Sequence, residues 1–228
     1  MGLPKHAIIV AGGQGARMQL SIPKQFVLMA GKPLLMHTLQ VFDACDLAIR
    51  IVVVLPETEM ATWAALCRKY AFAVPHEVAA GGENRSASVW QGVKQLGSQE
   101  GVVAVHDGVR PLVSPELIKR SFQQAEKHGS AVASVLLKDS IRKVHGADSK
   151  ACLREQYRLI QTPQTFRVSL LRTAYETAAG KVFSDDASLV EHSGHKIHLI
   201  EGEYRNLKVT TPEDLTVAAA LFDQAAAR

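Results

Sequence analysis

Hydrophobic residues in this chain follow two alternating rhythms. Apolar runs at 8–10, 50–55, 102–105 and 131–137, interrupted only by Arg50 and Ser134, predict strands buried on both faces. Between them, apolar positions recur at helical spacing. Residues 33–45 place Leu35, Met36, Leu39 and Phe42 on one stripe opened by Pro33, and 57–70 do the same with Met60, Trp63, Ala64 and Cys67. A helix follows Gly81-Gly82 and runs to about Leu96, and another spans 115–129 with Gly129 as its stop. A weaker strand is predicted at 73–78. The later chain predicts helices at 168–179 and 185–192, strands at 196–200 and 206–209, and an alanine-rich terminal helix opened by Thr211-Pro212. This alternation predicts an α/β fold with a mainly parallel, doubly wound sheet.

One stretch departs from it. From Lys138 to about Thr162, segments 140–144 and 157–161 alternate polar and apolar side chains, as half-exposed antiparallel strands do. They predict a β-arm at about 138–162, projecting from a single domain over 1–228. A length of 228 residues suits one domain with a small appendage. Lys and Arg number 26 against 22 Asp and Glu, yet no stretch gathers the resulting +4 charge into a nucleic-acid-binding arm. A mildly positive cleft for a small anion is the better expectation. No secretory leader opens the chain and no apolar run approaches the ~18 residues of a membrane span, so a cytoplasmic protein without a membrane partner is expected. Cys45, Cys67 and Cys152 are odd in number and widely spaced, which favours free thiols over disulfides or zinc.

Candidate chemistry begins where Ile8-Ile9-Val10 runs into Ala11-Gly12-Gly13-Gln14-Gly15, with Arg17 and Lys24 behind. Glycines at the carboxyl end of a buried strand let backbone N–H groups approach a ligand, and that end is where open α/β sheets bind. Bare amides followed by two cations describe a polyphosphate site. A Walker A loop would need Gly-Lys before Ser or Thr, which is missing. A dinucleotide fingerprint, as in a nicotinamide-dependent oxidoreductase, would need glycine where Met18 stands and an acid on the second strand; none lies between Met18 and Val41.

Asp107 ends another apolar run and is placed to hold Mg²⁺, which takes one or two carboxylates plus phosphate oxygens and water. His106 reads as a packed residue, because magnesium prefers oxygen donors. Arg110, on a loop before Pro111, suits a phosphate grip or a surface ion pair. Lys208 occupies an inward position of an apolar segment, where a lysine needs an anionic partner. Asp185 and Asp186 read as cap and dipole partners at a helix opening. His192, His195 and His198 straddle a helix end, a turn and a strand, a poor arrangement for metal.

Six motifs then agree in order: the glycine loop with Arg17 and Lys24, Gly81-Gly82 with Arg85 and Ser88, and His106-Asp107 with Arg110-Pro111. Thr162-Pro163-Gln164, Ser184 to Ser188, and Leu207-Lys208-Val209-Thr210 complete the set. On these the chain resembles the 2-C-methyl-D-erythritol 4-phosphate cytidylyltransferase family, which implies a Rossmann-like sheet and a homodimer joined by the arm. The resemblance implies CTP phosphates on Ala11, Gly12, Gly13 and Gly15, with Arg17 and Lys24 at the α-phosphate and Lys208 at the reacting centre. Gly81, Gly82, Ser88 and Gly108 would complete the CTP site, and Asp107 would carry Mg²⁺ close to both substrates. Arg110, Ser140, Arg154 and Ser184 would receive the sugar-alcohol phosphate, Arg154 from the partner's arm. Departures include Ala-Gly-Gly for Ala-Ala-Gly, Gly108-Val109 for Ala-Ala, Ser140 for Thr, and Glu83-Asn84 for Asp-Glu. The chain is similar also to D-ribitol-5-phosphate cytidylyltransferases, and Arg154 with the 184–188 block favours the erythritol acceptor.

Overall fold

The computed structural model describes residues 2–12, 22–45, 47–97, 100–178 and 180–226. Strand β1 (Lys5–Val10) is followed by a 3₁₀ turn at Lys24–Phe26 and a small hairpin of β2 (Leu28–Met29) and β3 (Lys32–Pro33), leading into α1 (Leu34–Asp43). Next come β4 (Arg50–Leu55), α2 (Glu57–Lys69), β5 (Glu77–Ala80), α3 (Arg85–Gln95), β6 (Val102–Asp107), α4 (Pro115–His128) and β7 (Ser130–Leu136). An exposed hairpin of β8 (Ile141–His145) and β9 (Asp148–Cys152) precedes β10 (Arg158–Arg167), α5 (Val168–Thr177), α6 (Asp186–His192), β11 (Leu199–Glu201) and α7 (Pro212–Ala226).

Among the described residues the main sheet has seven strands in the order β11-β7-β10-β6-β1-β4-β5. All neighbours are parallel except β10, which runs antiparallel to both β6 and β7. Successive residues of β1 feed opposite layers, as a strand's period of two requires. Ala7 and Ile9 pack with α1, α2 and α4 on one face, while Ile8 packs with α3, α5 and α6 on the other. From β1 the chain builds outward through β4 and β5, then returns to build the other side from β6. The strand order therefore switches between β1 and β6, whose last residues, Val10 and Asp107, are register partners.

One glycine sets how close a helix approaches that edge. A Cβ on Gly92 would sit 2.6 Å from Ile8 Cγ2 and 3.1 Å from Val54 Cγ2, so α3 lies against β1 and β4 at a distance only glycine permits.

Three elements differ from expectation. β5 starts at Glu77 rather than residue 73, because the preceding stretch is tied by side chains: Trp63 Nε1 donates to His76 Nε2 at 3.0 Å, and the ring contacts Val74 O. Arg158 to Ile160 pair with β7 inside the main sheet, so the projecting part is β8 and β9 with a short turn at Arg154–Gln156. The 206–209 stretch is not a strand; Val209 N–H donates to Val109 O at 2.9 Å, and side chains do the remaining anchoring.

Candidate active site

Two cavities lie side by side at the carboxyl edge of β1 and β6. The first, about 230 Å³, is walled by Ala11 and Gly12 from the end of β1, by Lys24, and by Gly82, Asn84 and Ser88 around the start of α3. The second, about 410 Å³, is walled by Arg110, Gln161, Thr162, Gln164 and Ser184. Arg85, Asp107 and Lys208 belong to both walls.

At that seam the Asp107 carboxylate gathers cations from three parts of the chain. Lys208 Nζ and Arg110 Nε each lie 3.1 Å from Oδ2, and Arg85 Nε lies 3.7 Å from Oδ1. Burial alone would raise the Asp107 pKa; Lys208, Arg85 and Arg110 together outweigh it and hold the group far below the usual carboxylate range. His106 beside it is fully buried, with Nδ1 3.1 Å from Thr162 Oγ1 and Nε2 3.2 Å from Arg110 O. Desolvation pushes its pKa down to about 4, so it is neutral packing.

Lys208 arrives on a segment fastened to β10. Asn206 Nδ2 donates to Thr162 O at 2.7 Å, Gln161 Nε2 donates to Glu203 O at 2.8 Å, and Arg110 Nη1 donates to Asn206 O at 2.8 Å. Beyond it, Asp214 accepts from the N–H groups of Thr210 and Thr211 at 2.8 and 2.9 Å, opening α7. The register shift of β10 between Ile160 and Gln164 turns this polar stretch toward the site, a use of bulges common beside active sites.

The first cavity receives the N-terminus of α3. Asn84 caps it, accepting from Ala87 N–H at 2.9 Å. Ser88 Oγ accepts from Gly82 N–H at 3.1 Å and donates to Asn84 O at 2.9 Å, so its hydroxyl shapes the turn as well as lining the wall. A Cβ on Gly82 would meet Ala87 Cβ at 2.5 Å, which keeps this turn to glycine. The helix dipole and exposed amides favour an anion here.

The expected residues are thus partly assembled. Ala11, Gly12, Lys24, Gly82, Ser88, Asp107, Arg110, Ser184 and Lys208 line one cavity or the other. Gly81 and Gly108 stand behind the wall, their N–H groups donating to Leu55 O at 2.7 Å and Val10 O at 2.9 Å, and Val109 faces the cavity instead. Ser140 and Arg154 belong to the exposed arm, where Arg154 pairs with Glu155 at 3.3 Å and donates to Lys138 O. Gly13, Gly15 and Arg17 lie outside the described residues.

Two features escaped the sequence reading. Asp185 is a helix cap, accepting from Ser188 N–H at 3.0 Å, but Asp186 is fully buried against Arg85 Nη1 at 2.8 Å and the Tyr175 hydroxyl at 2.8 Å. Arg85, which holds Asp186 on one side and faces Asp107 on the other, is the second. Its signal was the cation opening α3 one residue past the Asn84 cap.

A family model for 2-C-methyl-D-erythritol 4-phosphate cytidylyltransferase matches residues 5–224. The chain belongs to that family. Relatives bearing the same name include one from Porphyromonas gingivalis, 47% identical over 220 residues, covering 96% of this chain and 97% of the relative. One from Bacteroides thetaiotaomicron is 44% identical, covering 96% of this chain and 100% of the relative. Among solved structures, a 4-diphosphocytidyl-2C-methyl-D-erythritol synthase from Anaerococcus prevotii superposes with a TM-score of 0.84 at 28% identity, covering 98% and 100% of the two chains. The Thermus thermophilus 2-C-methyl-D-erythritol 4-phosphate cytidylyltransferase gives 0.77 at 32%, covering 97% and 98%. Family membership makes this chain a nucleotidyltransferase. Among the described residues, no group of three or more His, Cys, Asp or Glu side chains could hold a metal, and no helix is long and apolar enough to cross a membrane.

Proposed function

We propose that the chain, acting as a single domain, joins CTP to 2-C-methyl-D-erythritol 4-phosphate. The products are 4-diphosphocytidyl-2-C-methyl-D-erythritol and pyrophosphate, in the non-mevalonate isoprenoid route. The observation that carries this reading is the pair of cavities sharing Asp107, Arg85 and Lys208. CTP occupies the first, its phosphates against the amides after β1 and the start of α3; the acceptor phosphate occupies the second, beside Arg110 and Ser184.

An oxygen of the acceptor phosphate attacks the α-phosphorus in line, and the bond to the β-phosphate bridging oxygen breaks. The attacking group is already anionic, so no general base is needed. The barrier is repulsion between anions and charge growth on non-bridging oxygens, which positioning and fixed cations relieve. Lys208 at the seam and Lys24 on the nucleotide side are the residues this chain directs there. One carboxylate with phosphate oxygens and water is a sufficient Mg²⁺ donor set. Asp107 fits it: Oδ2 takes Lys208 and Arg110, while Oδ1 keeps a looser 3.7 Å contact with Arg85. When bound, Mg²⁺ offsets charge on the phosphates.

The protein acts in the cytoplasm as a homodimer whose arms complete each other's acceptor site through Arg154, with Ser140 also receiving the acceptor phosphate. In support, Val144, Leu153 and Leu159 on and beside the arm are 68%, 67% and 52% exposed, an apolar load suited to burial against a second copy.

The test is pyrophosphate release with CTP and Mg²⁺, offering methylerythritol phosphate and ribitol phosphate in parallel. Release with the first acceptor is expected. Release with ribitol phosphate alone overturns the acceptor, and release with neither overturns the reaction.

A further inference from the structure

Behind the two cavities, three helices converge on one guanidinium. Arg85 is the first residue of α3, Asp186 the first of α6, and Tyr175 lies on α5. Arg85 Nη1 is 2.8 Å from Asp186 Oδ2, and the Tyr175 hydroxyl donates to Asp186 Oδ1 at 2.8 Å. The Tyr175 ring is itself set by stacking on Trp90, with centroids 5.5 Å apart. Asp186 is 0% exposed.

A carboxylate this deep is tolerable only with a partner, so Arg85 is bound to face it. The other edge of the guanidinium faces Asp107, but at 3.7 Å, longer than the 2.7–2.9 Å of a charge-assisted bond. An arginine released so close to a carboxylate closes on it as a planar fork. Asp107 Oδ2 already takes Lys208 and Arg110 at 3.1 Å each, while Arg85 approaches Oδ1 no closer than 3.7 Å. Asp186 therefore pulls Arg85 away from Asp107 Oδ1 at the seam.

We propose that Asp186, supported by Tyr175, is a positioning residue that restrains Arg85 and so keeps Asp107 Oδ1 open to a divalent cation at the reaction centre. The inference rests on the cytidylyl transfer above, and parental activity in the same assay separates a failure of that reaction from a failure of this one.

The test is Asp186→Asn, which keeps shape and removes charge. Mn²⁺ binding to the CTP-loaded protein is read by electron paramagnetic resonance beside kcat and a thermal melt. Mn²⁺ affinity is expected to weaken about tenfold or more and kcat to fall about 10- to 100-fold in the folded variant. Tyr175→Phe should act in the same direction by about two- to fivefold, and it serves if the first variant does not fold. The apolar pair Arg85→Met with Asp186→Leu removes the fork along with its restraint, and Mn²⁺ affinity should return to within about threefold of the parent. Parental Mn²⁺ affinity in folded Asp186→Asn, or in Tyr175→Phe, overturns the proposal. So does a double variant that binds Mn²⁺ as weakly as Asp186→Asn.

Discussion

Removing the ammonium of Lys208 tests the site most directly. Its Nζ is 3.1 Å from Asp107 Oδ2, and the side chain is 36% exposed at the seam of both cavities. Unit charges at this separation attract by about 5 kcal/mol at an effective dielectric near 20. Much of that is already spent on Asp107 in the resting protein, and only what grows in the transition state speeds the reaction. A single preorganised donor removed from such a centre costs about 2.7–4 kcal/mol, so Lys208→Ala should lower kcat about 10²- to 10³-fold. Asp107 keeps Arg110 and Arg85, and the lost pair is partly exposed, so unfolding free energy should fall by only about 1 kcal/mol. Pyrophosphate release at saturating CTP and acceptor, with a thermal melt of the same sample, measures both. A folded variant whose kcat stays within about tenfold of the parent would refute a role at the reacting centre.

Lys24→Ala should likewise fold and lose about 10²- to 10⁴-fold in kcat, read in the same assay. His106 gives a pH signature. Folded, it stays neutral down to about pH 4, whereas the unfolded chain takes up its proton below about 6.5, so stability is full above that range and falls as pH drops through it. The loss from this residue reaches about 2 kcal/mol at pH 5, and burial of His6 and His37 adds in the same direction. Urea midpoints that do not move between neutral pH and pH 5 would contradict it. Gly92→Ala gains helix propensity but drives a methyl into Ile8, so a net loss of about 1–2 kcal/mol is expected by urea unfolding. If arms complete each other's sites, mixing inactive Lys208→Ala and Arg154→Ala subunits should recover about a quarter of parental activity through mixed dimers. Recovery of none would place Arg154 outside the partner's site.

How much of this was legible beforehand depends on which forces act locally. The apolar runs of β1, β4, β6 and β7 and the stripes of α1 and α2 announce themselves, because burial writes its period into neighbouring residues. The Gly81-Gly82 turn, Asp107 and Lys208 were legible for a related reason: a tight glycine pair, or a charge at the end of an apolar run, has few structural uses. The centre of β10 was not. Gln161, Thr162, Gln164 and Thr165 are all buried yet polar, satisfied by partners distant in sequence, so no local pattern reports them. Asp186 failed similarly. Two adjacent acids at a helix start look alike, and only packing against Arg85 and Tyr175 separates the cap from the buried anion.

The antiparallel strand in the middle of the sheet has a consequence for synthesis. Among the described residues β10 alone bridges β6 to β7, so a nascent chain that stops before residue 158 owns the half-sheet β6-β1-β4-β5 and a lone β7, without the plank between them. The same plank carries the Gln161 side chain and the Thr162 carbonyl that fasten the Lys208 segment. Until it is laid, exposed strand edges invite misassembly, and the half that already holds Lys24 and Asp107 still lacks Lys208.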